Sequence, residues 1–247
     1  MFAATSAAGS TLELLAIDPP GWGGNLLRGL ANSVQIALGA YALGLTIGLA
    51  GAYGKLYGGP VIRDILGIYT TVVRAVPELI LILILYFALT QALNDGLVGA
   101  GFARVQISGL MAGIGVLGIV QGAYSTEVLR GAIQAVPAGQ IEAAKAMGMP
   151  PGLLARRITL PLMTAYAVPG LANLWLIVTK DTALLAVVGF GELTQETRQA
   201  AGTTRAYFTF FLAAGGLYLS LSLLSSLLFG RIERWARKGQ RPTGGAG

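Results

Sequence analysis

The sequence predicts an all-α integral membrane protein with five membrane-spanning helices, and three observations lead to this class. Hydrophobic residues make up 54% of the 247 residues and charged residues only 11%, whereas soluble domains carry about a quarter charged residues. The mean hydropathy is +0.68. Several apolar stretches reach the roughly 20 residues that a helix needs to cross a bilayer. These stretches are continuous rather than alternating in polarity, which favours helices over a transmembrane barrel.

The spans follow from the apolar runs, taken in chain order. The first run is rich in Leu, Ala and Gly, and its glycines predict close helix contacts. The second run is interrupted by Arg74, Pro77 and Glu78. The predicted spans are Leu30–Gly54, Asp64–Thr90, Ile107–Glu127, Pro161–Asp181 and Phe208–Phe229.

The distribution of Lys and Arg predicts the orientation of these spans. Five spans place the two termini on opposite sides of the membrane. One set of connecting segments holds four cations, Arg28, Arg104, Arg198 and Arg205. The other set holds eleven, Lys55, Arg63, Arg130, Lys145, Arg156, Arg157, Arg231, Arg234, Arg237, Lys238 and Arg241. Because cytoplasmic loops are enriched in Lys and Arg, we expect a periplasmic N-terminus and a cytoplasmic C-terminus.

The same pattern predicts one transmembrane domain over residues 1–247. No Lys or Arg precedes the short apolar run Leu12 to Ile17, so we expect the N-terminus to be retained rather than cleaved as a signal peptide. The predicted parts are a periplasmic or interfacial N-terminus over 1–29, a five-helix core over 30–229 with a cytoplasmic loop over about 128–160, and a basic cytoplasmic tail over 230–247.

Residue types that usually carry catalysis are missing from the chain. It contains no Cys and no His, which removes thiolate nucleophiles, imidazole bases and the usual zinc ligands. No phosphate-binding G-x-x-x-x-G-K-[ST] motif occurs, since Gly54-Lys55 is followed by Leu56. We therefore expect no catalytic residue, no metal site and no cofactor bound by this chain. The net charge of +6 reflects membrane topology, and we expect no nucleic-acid partner.

One motif on the predicted cytoplasmic side is specific. Glu142-Ala143-Ala144 is followed, after three intervening residues, by Gly148, and after nine more intervening residues by Ile158-Thr159-Leu160-Pro161. The pattern indicates a helix that stops at Gly148, a turn at Pro150-Pro151, and a second helix leading into the next span. A plain interfacial hairpin is the other interpretation, but the spacing is matched over twenty residues.

This pattern resembles the EAA loop of permease subunits in bacterial ATP-binding-cassette importers, of the polar amino acid family. The stretch Arg74 to Leu79 resembles the family's R-G-x-P segment, with Ala75 where Gly is more usual. The stretches Ala123 to Ile133 and Lys180 to Leu184 resemble the A-Y-x-x-E-x-x-R-G-A and K-x-T-x-L segments. The likeness covers about residues 25 to 235 and is strongest to histidine, lysine–arginine–ornithine and opine permeases.

The resemblance implies a type I importer permease core in the bacterial inner membrane. Its implied partners are a second permease subunit, identical or a paralogue, two ATPase subunits that bind ATP and Mg²⁺, and a periplasmic substrate-binding protein. The implied substrate is a polar and basic amino acid or an opine. The implied residues for coupling to the ATPase are Glu142, Ala143, Ala144, Gly148 and Arg156.

Charged residues inside the spans suggest a substrate path. Charges in a bilayer are costly unless they face a cavity or a partner, which makes Arg74, Glu78 and Asp181 candidate substrate contacts. The alternative is an internal ion pair between Arg74 and Glu78, four residues apart on one helix. Glu127 and Arg130 are interpreted as structural.

Two other functions remain open at this stage. One is a secondary transporter or channel subunit that works without an ATPase, and the other is a structural or assembly protein of the membrane. The EAA-like loop favours the importer, since a channel has no need of it.

Overall fold

The structure is a computed structural model that describes residues 11–104 and 108–236. The described residues form helices joined by short turns, with no strand among them. The predicted basic tail beyond residue 236 and the first ten residues lie outside this range. The α-helices are α1 Thr11–Leu14, α2 Gly23–Tyr57, α3 Pro60–Ala75, α4 Glu78–Gly99, α5 Gly109–Gln134, α6 Ala138–Ala146, α7 Pro151–Leu154, α8 Leu160–Asp181, α9 Leu193–Thr204 and α10 Tyr207–Ala236. A π-helical turn, Ala155–Thr159, joins α7 to α8, and a 3₁₀ helix, Thr182–Val188, follows α8.

Five helical segments in the described part of the chain are long and apolar enough to cross a membrane. This number confirms the prediction. The segments are Gly23–Tyr57, Glu78–Gly99, Gly109–Gln134, Pro151–Val188 and Tyr207–Ala236.

The predicted second span, Asp64–Thr90, was wrong in its bounds. The helix breaks inside it, because α3 ends at Ala75 and α4 begins at Glu78. Val76 between them is extended, with φ −91° and ψ 138°. Pro77 has no N–H to donate to the carbonyl of Val73, so the helical ladder stops there. The apolar run therefore belongs to two helices, of which only α4 is long and apolar enough to span.

Helix α2 packs closely along α5 through small residues. A Cβ atom built on Gly44 would lie 2.6 Å from Cγ of Gln121, and Gly48 is equally close to Ser125. Only glycine allows this approach of two membrane helices. The predicted close contacts of the α2 glycines are confirmed, because Cβ atoms on Gly39 and Gly51 would also lie within 3 Å of side chains of α5.

The bundle has two distinct ends. At one end, Ala52 of α2, Leu129 and Ile133 of α5 and Met163 of α8 form an apolar cluster against which Ile141 of α6 packs. We call this the α6 end. At the opposite end, the start of α2, helix α9 and the start of α10 meet in a second apolar cluster formed by Leu26, Leu193, Ala200, Ala201, Phe210 and Ala214.

Candidate functional site

The hairpin at the α6 end follows the predicted pattern. Helix α6 ends at Ala146, and Gly148 adopts a left-handed conformation with φ +75°. The N–H of Met149 donates to the carbonyl of Ala144 at 3.1 Å, which closes the end of the helix. Only glycine adopts this conformation without cost. The predicted helix stop at Gly148 is therefore confirmed.

The predicted coupling residues divide into an exposed and a buried set. Glu142, Ala143, Gly148 and Arg156 are exposed at the α6 end. Ala144 is buried, with only 5% of its surface accessible. Its side chain faces the bundle and holds α6 in place, so the other four residues form the surface that a partner can touch.

The hairpin is continuous with a spanning helix. Helix α7 passes through the π-helical turn that carries Arg156 directly into α8, without an intervening loop. Helix α8 then runs 22 residues to Asp181, which is about 33 Å at 1.5 Å per residue. The hairpin and Asp181 therefore lie at the two ends of one continuous helical segment.

A second cluster of charges ties three helices together next to this hairpin. Nζ of Lys55 on α2 lies 2.6 Å from Oε1 of Glu127 on α5, and Nη2 of Arg130 lies 2.8 Å from Oε2 of the same carboxylate. Lys55 also donates to Oγ1 of Thr70 on α3 at 2.9 Å. Because every charge here has a partner, Glu127 and Arg130 act as structural residues.

The residues predicted for the substrate path come together in the structure. The hydroxyl group of Tyr124 on α5 donates to Oε1 of Glu78 at 3.3 Å. The carboxyl group of Asp181 lies close enough to that of Glu78 to interact with it. The guanidinium group of Arg74 acts electrostatically on Tyr124 from the other side of the helix break. The break between α3 and α4 thus brings two carboxyl groups, a hydroxyl group and a cation to one place.

This cluster lies in the middle of the bundle. Tyr124 is 10 residues before the end of α5 at Gln134, which is about 15 Å along the axis. Arg74 and Glu78 do not form an ion pair within the described residues, because the extended backbone at Val76 removes the i,i+4 geometry. Glu78 is therefore held by Tyr124 instead of Arg74, and neither Glu78 nor Asp181 forms an ion pair within the described residues.

Two residues of the described chain matter here that sequence reasoning did not assign. Tyr124 lies in the quoted stretch Ala123 to Ile133, but nothing in its spacing pointed to Glu78. Glu192 is fully buried and caps α9, accepting hydrogen bonds at 2.8 Å from the N–H groups of Thr194 and Gln195 and at 3.1 Å from the hydroxyl group of Tyr218. Glu is not among the preferred N-cap residues, so the sequence gave little signal for this role.

The fold and the site define a class. Five apolar spanning segments, an exposed helical hairpin continuous with one of them, and unpaired carboxyl groups at mid-depth are features of a transmembrane transport subunit. Residues 42–238 match the family described as the inner membrane component of binding-protein-dependent transport systems. The chain belongs to this family.

Named relatives agree with the family. The chain is 40% identical to the nopaline transport system permease protein NocQ of Agrobacterium fabrum over 234 residues, which are 93% of this chain and 98% of that protein. It is 38% identical to the histidine/lysine/arginine/ornithine transport system permease protein HisQ of Escherichia coli over 214 residues, which are 87% of this chain and 94% of that protein.

Solved structures show the same fold. A crystal structure described as an amino acid ABC transporter with histidines matches with a TM-score of 0.73 and 28% identity, over 87% of this chain and 95% of that one. The MetNI methionine ABC transporter matches with a TM-score of 0.71 at 22% identity, over 86% of this chain and 96% of that one. The second likeness concerns the fold alone.

These findings decide between the functions that the sequence left open. The chain is a permease subunit of an ATP-driven importer in the bacterial inner membrane, and it is not an enzyme. It works with an ATPase and a substrate-binding protein, as a component of a binding-protein-dependent system. The interpretations as an ATPase-independent transporter or as a structural protein are set aside.

Proposed function

We propose that this permease moves a basic amino acid or an opine inward, and that Glu78 and Asp181 meet its cationic group. The observation that carries the proposal is the cluster of two carboxyl groups and Tyr124 at mid-depth. Carboxylates there are costly without a cation. The relatives named above for nopaline and for histidine, lysine, arginine and ornithine support the same substrate class.

The proposed role of Arg74 is to receive the carboxylate of the substrate. It ends α3 just before the break, is exposed, and acts on the cluster without closing an ion pair to Glu78. An amino acid with a cationic side chain would then place its carboxylate beside Arg74 and its cationic group beside Glu78 and Asp181. Helix breaks at membrane depth suit such sites, since the backbone there lines a cavity.

The proposed coupling surface is the exposed set Glu142, Ala143, Gly148 and Arg156, with Ala144 holding α6 from behind. The proposed assembly pairs this chain with a second permease subunit and with two ATPase subunits at the α6 end, which bind ATP and Mg²⁺; this chain itself binds no cofactor. In the proposed orientation the α6 end is cytoplasmic and the opposite end is periplasmic, as the eleven cations indicate.

The test is uptake by the complete transporter in proteoliposomes with the variants Glu78→Gln and Asp181→Asn, which keep shape and remove charge. We expect a rise of about tenfold or more in the KM for basic substrates, with complex yield and basal ATPase activity retained. Asp18→Asn, which removes an exposed carboxyl group outside the cluster and outside the proposed coupling surface, is the control for substrate affinity. Uptake kinetics of the Glu78 and Asp181 variants equal to those of the wild type would contradict the proposal.

A further inference from the structure

A polar cavity lies at the end of the bundle opposite α6. It has a volume of about 410 Å³ and is lined by the part of α4 from Tyr86 to Asp95 and by Arg104 in the segment after α4. Tyr86 of its wall contacts Phe190, whose ring packs over Gly109 at the start of α5. The cavity thus sits where α4 ends and α5 begins, on the proposed periplasmic side, and its volume is within the range of small-molecule sites.

The cavity presents opposite charges that are not used by the protein. Asp95 and Arg104 both line it and both are exposed. Within the described residues, neither forms an ion pair, whereas Glu127 is paired twice. A carboxylate and a guanidinium group that share one cavity without closing on each other are complementary to a ligand that carries both charges.

An aromatic wall adds a third feature. Tyr86 and Phe87 are in edge contact with ring centroids 5.2 Å apart, and Tyr86 is fixed from behind by Phe190 at 5.4 Å. Phe87 remains 62% exposed, so a ring face is free to receive a cation. Phe87 and Asp95 are eight residues apart on one helix, about 12 Å along the axis. A ligand that reaches from one to the other needs a long side chain.

We propose that this cavity is an outer substrate site of the permease. Asp95 binds the α-ammonium group of a free amino acid, Arg104 binds its α-carboxylate, and the ring of Phe87 receives a cationic side chain. The proposal rests on the proposed function for its substrate class and adds a site to it. Glu78 begins the same helix, 17 residues before Asp95, about 25 Å away, so the two sites lie in series along α4.

The zwitterionic headgroup of a phospholipid carries the same pair of charges. The free amino acid is favoured because the aromatic wall offers a third contact at a fixed distance, which an ethanolamine headgroup is too short to use. A docking protein is the other occupant that the test must separate, since the periplasmic binding protein approaches this side.

The experiment measures equilibrium binding of radiolabelled arginine to the complete transporter in nanodiscs, without binding protein. We expect two saturable phases in the wild type. Asp95→Asn and Arg104→Gln both weaken arginine binding in the same phase, the first, by about tenfold or more. Glu78→Gln weakens arginine binding in the second phase. Asp18→Asn and Arg198→Gln, exposed charges outside the cavity, leave both phases unchanged.

The outcomes separate the two proposals. If both phases are unchanged in Asp95→Asn and Arg104→Gln, the outer site is overturned, and the proposed role of Glu78 is not affected by this result. A phase that depends on Asp95, with no phase that Glu78→Gln weakens, supports the outer site and contradicts the mid-depth one. Variants that lose only the stimulation of ATPase activity by the binding protein, with arginine binding intact, show a docking surface instead. A phase that disappears only when phosphatidylethanolamine is added assigns the cavity to lipid.

Discussion

Tyr124 on α5 donates a hydrogen bond to Glu78, the first residue of α4, with 3.3 Å between the hydroxyl oxygen and Oε1. The bond joins α5, which leads into the hairpin at the α6 end, to α4, which begins at the break. Since α8 carries Asp181 to the same place from the other side of the hairpin, the cluster is connected to the hairpin through two helices.

Removing this hydrogen bond should affect substrate affinity. In Tyr124→Phe, Glu78 loses the donor that fixes its orientation, and a hydrogen bond to a charged group contributes about 1.5–3 kcal/mol. We expect the KM for basic substrates to rise by about tenfold in proteoliposome uptake. Tyr166→Phe, in which the lost hydroxyl belongs to an exposed ring on α8, should behave as the wild type. Equal KM values for the two variants would show that Tyr124 plays no part in orienting Glu78.

Much of this arrangement could be predicted from the sequence, because two of its signals are local. The number of spans follows from apolar runs that exceed the bilayer thickness, and the hairpin follows from the fixed spacing of Glu142, Gly148 and Pro161. Both depend on residues close together in the chain. The same holds for the choice of Arg74 and Glu78 as candidates, since charges within an apolar run are visible without a structure.

The parts that could not be predicted depend on contacts between distant residues or on backbone angles. Hydropathy does not distinguish a continuous helix from two helices that meet at an extended residue, so the bounds of the second span were wrong at Val76. Tyr124 and Glu78 are 46 residues apart in the chain, and no periodicity joins them. Glu192 is buried because α2 and α10 cover the start of α9. The sequence around Glu192 resembles a loop and does not predict that these two distant helices pack over it.

Gly148→Asp should uncouple the transporter. A side chain at this position meets nothing within 4 Å in this chain, but φ is +75°, and the added carboxylate enters the proposed contact with the ATPase. We expect transport to fall by at least tenfold while the subunit still inserts, measured as uptake against ATPase activity.

Two glycines serve as controls for this variant. Gly139 lies on α6 like the residues before Gly148, but it has no positive φ and no neighbour within 4 Å, so Gly139→Asp adds a carboxylate without backbone strain. Gly101 has φ +82° and lies far from the hairpin, so Gly101→Asp adds the backbone strain alone. Gly101→Asp should leave coupling intact. A loss of coupling in Gly101→Asp equal to that in Gly148→Asp would assign the effect to general strain.

Glu127→Gln should destabilise the α6 end. The change removes the carboxylate with which Lys55 and Arg130 form ion pairs. The side chains of Lys55 and Glu127 are only 16% exposed, and breaking a mostly buried ion pair costs about 3 kcal/mol. We expect a lower thermal denaturation midpoint of the purified complex. Asp18→Asn removes an exposed carboxyl group outside the proposed contact with the ATPase and should leave the midpoint unchanged. A stable Glu127→Gln complex would mean that hydrogen bonds to the amide replace the ion pairs.

The buried Glu192 should make stability depend on pH. Burial raises the pKa of its carboxyl group above the ordinary 4.5, and hydrogen bonds from Thr194, Gln195 and Tyr218 oppose this only in part. The folded protein therefore holds the proton at pH values where the unfolded chain has lost it, so the contribution of Glu192 to stability is present below pH 4.5 and is lost as pH rises through the higher pKa of the folded state.

Glu192→Gln tests this dependence because it keeps the shape and cannot ionise. We expect the difference in denaturation midpoint between variant and wild type to grow in favour of the variant as pH rises above 4.5. A difference for Glu192→Gln that is constant or grows in favour of the wild type would show that the carboxylate form is the stable one.

The orientation can be tested with single cysteines, because the chain contains none. Gln140 on α6 and Gln199 on α9 are both exposed and lie at opposite ends of the bundle. The excess of Lys and Arg at the α6 end predicts that this end is cytoplasmic. A membrane-impermeant maleimide should therefore label Gln199→Cys in intact spheroplasts and Gln140→Cys only after the membrane is opened.

Asp95→Cys, at the end of α4, should be labelled from the same side as Gln199→Cys, since both lie at the end opposite α6. Labelling of Gln140→Cys alone in intact spheroplasts would reverse the orientation and move the outer site to the cytoplasm, whereas labelling of Asp95→Cys and Gln199→Cys from different sides would contradict the path of α4 across the membrane.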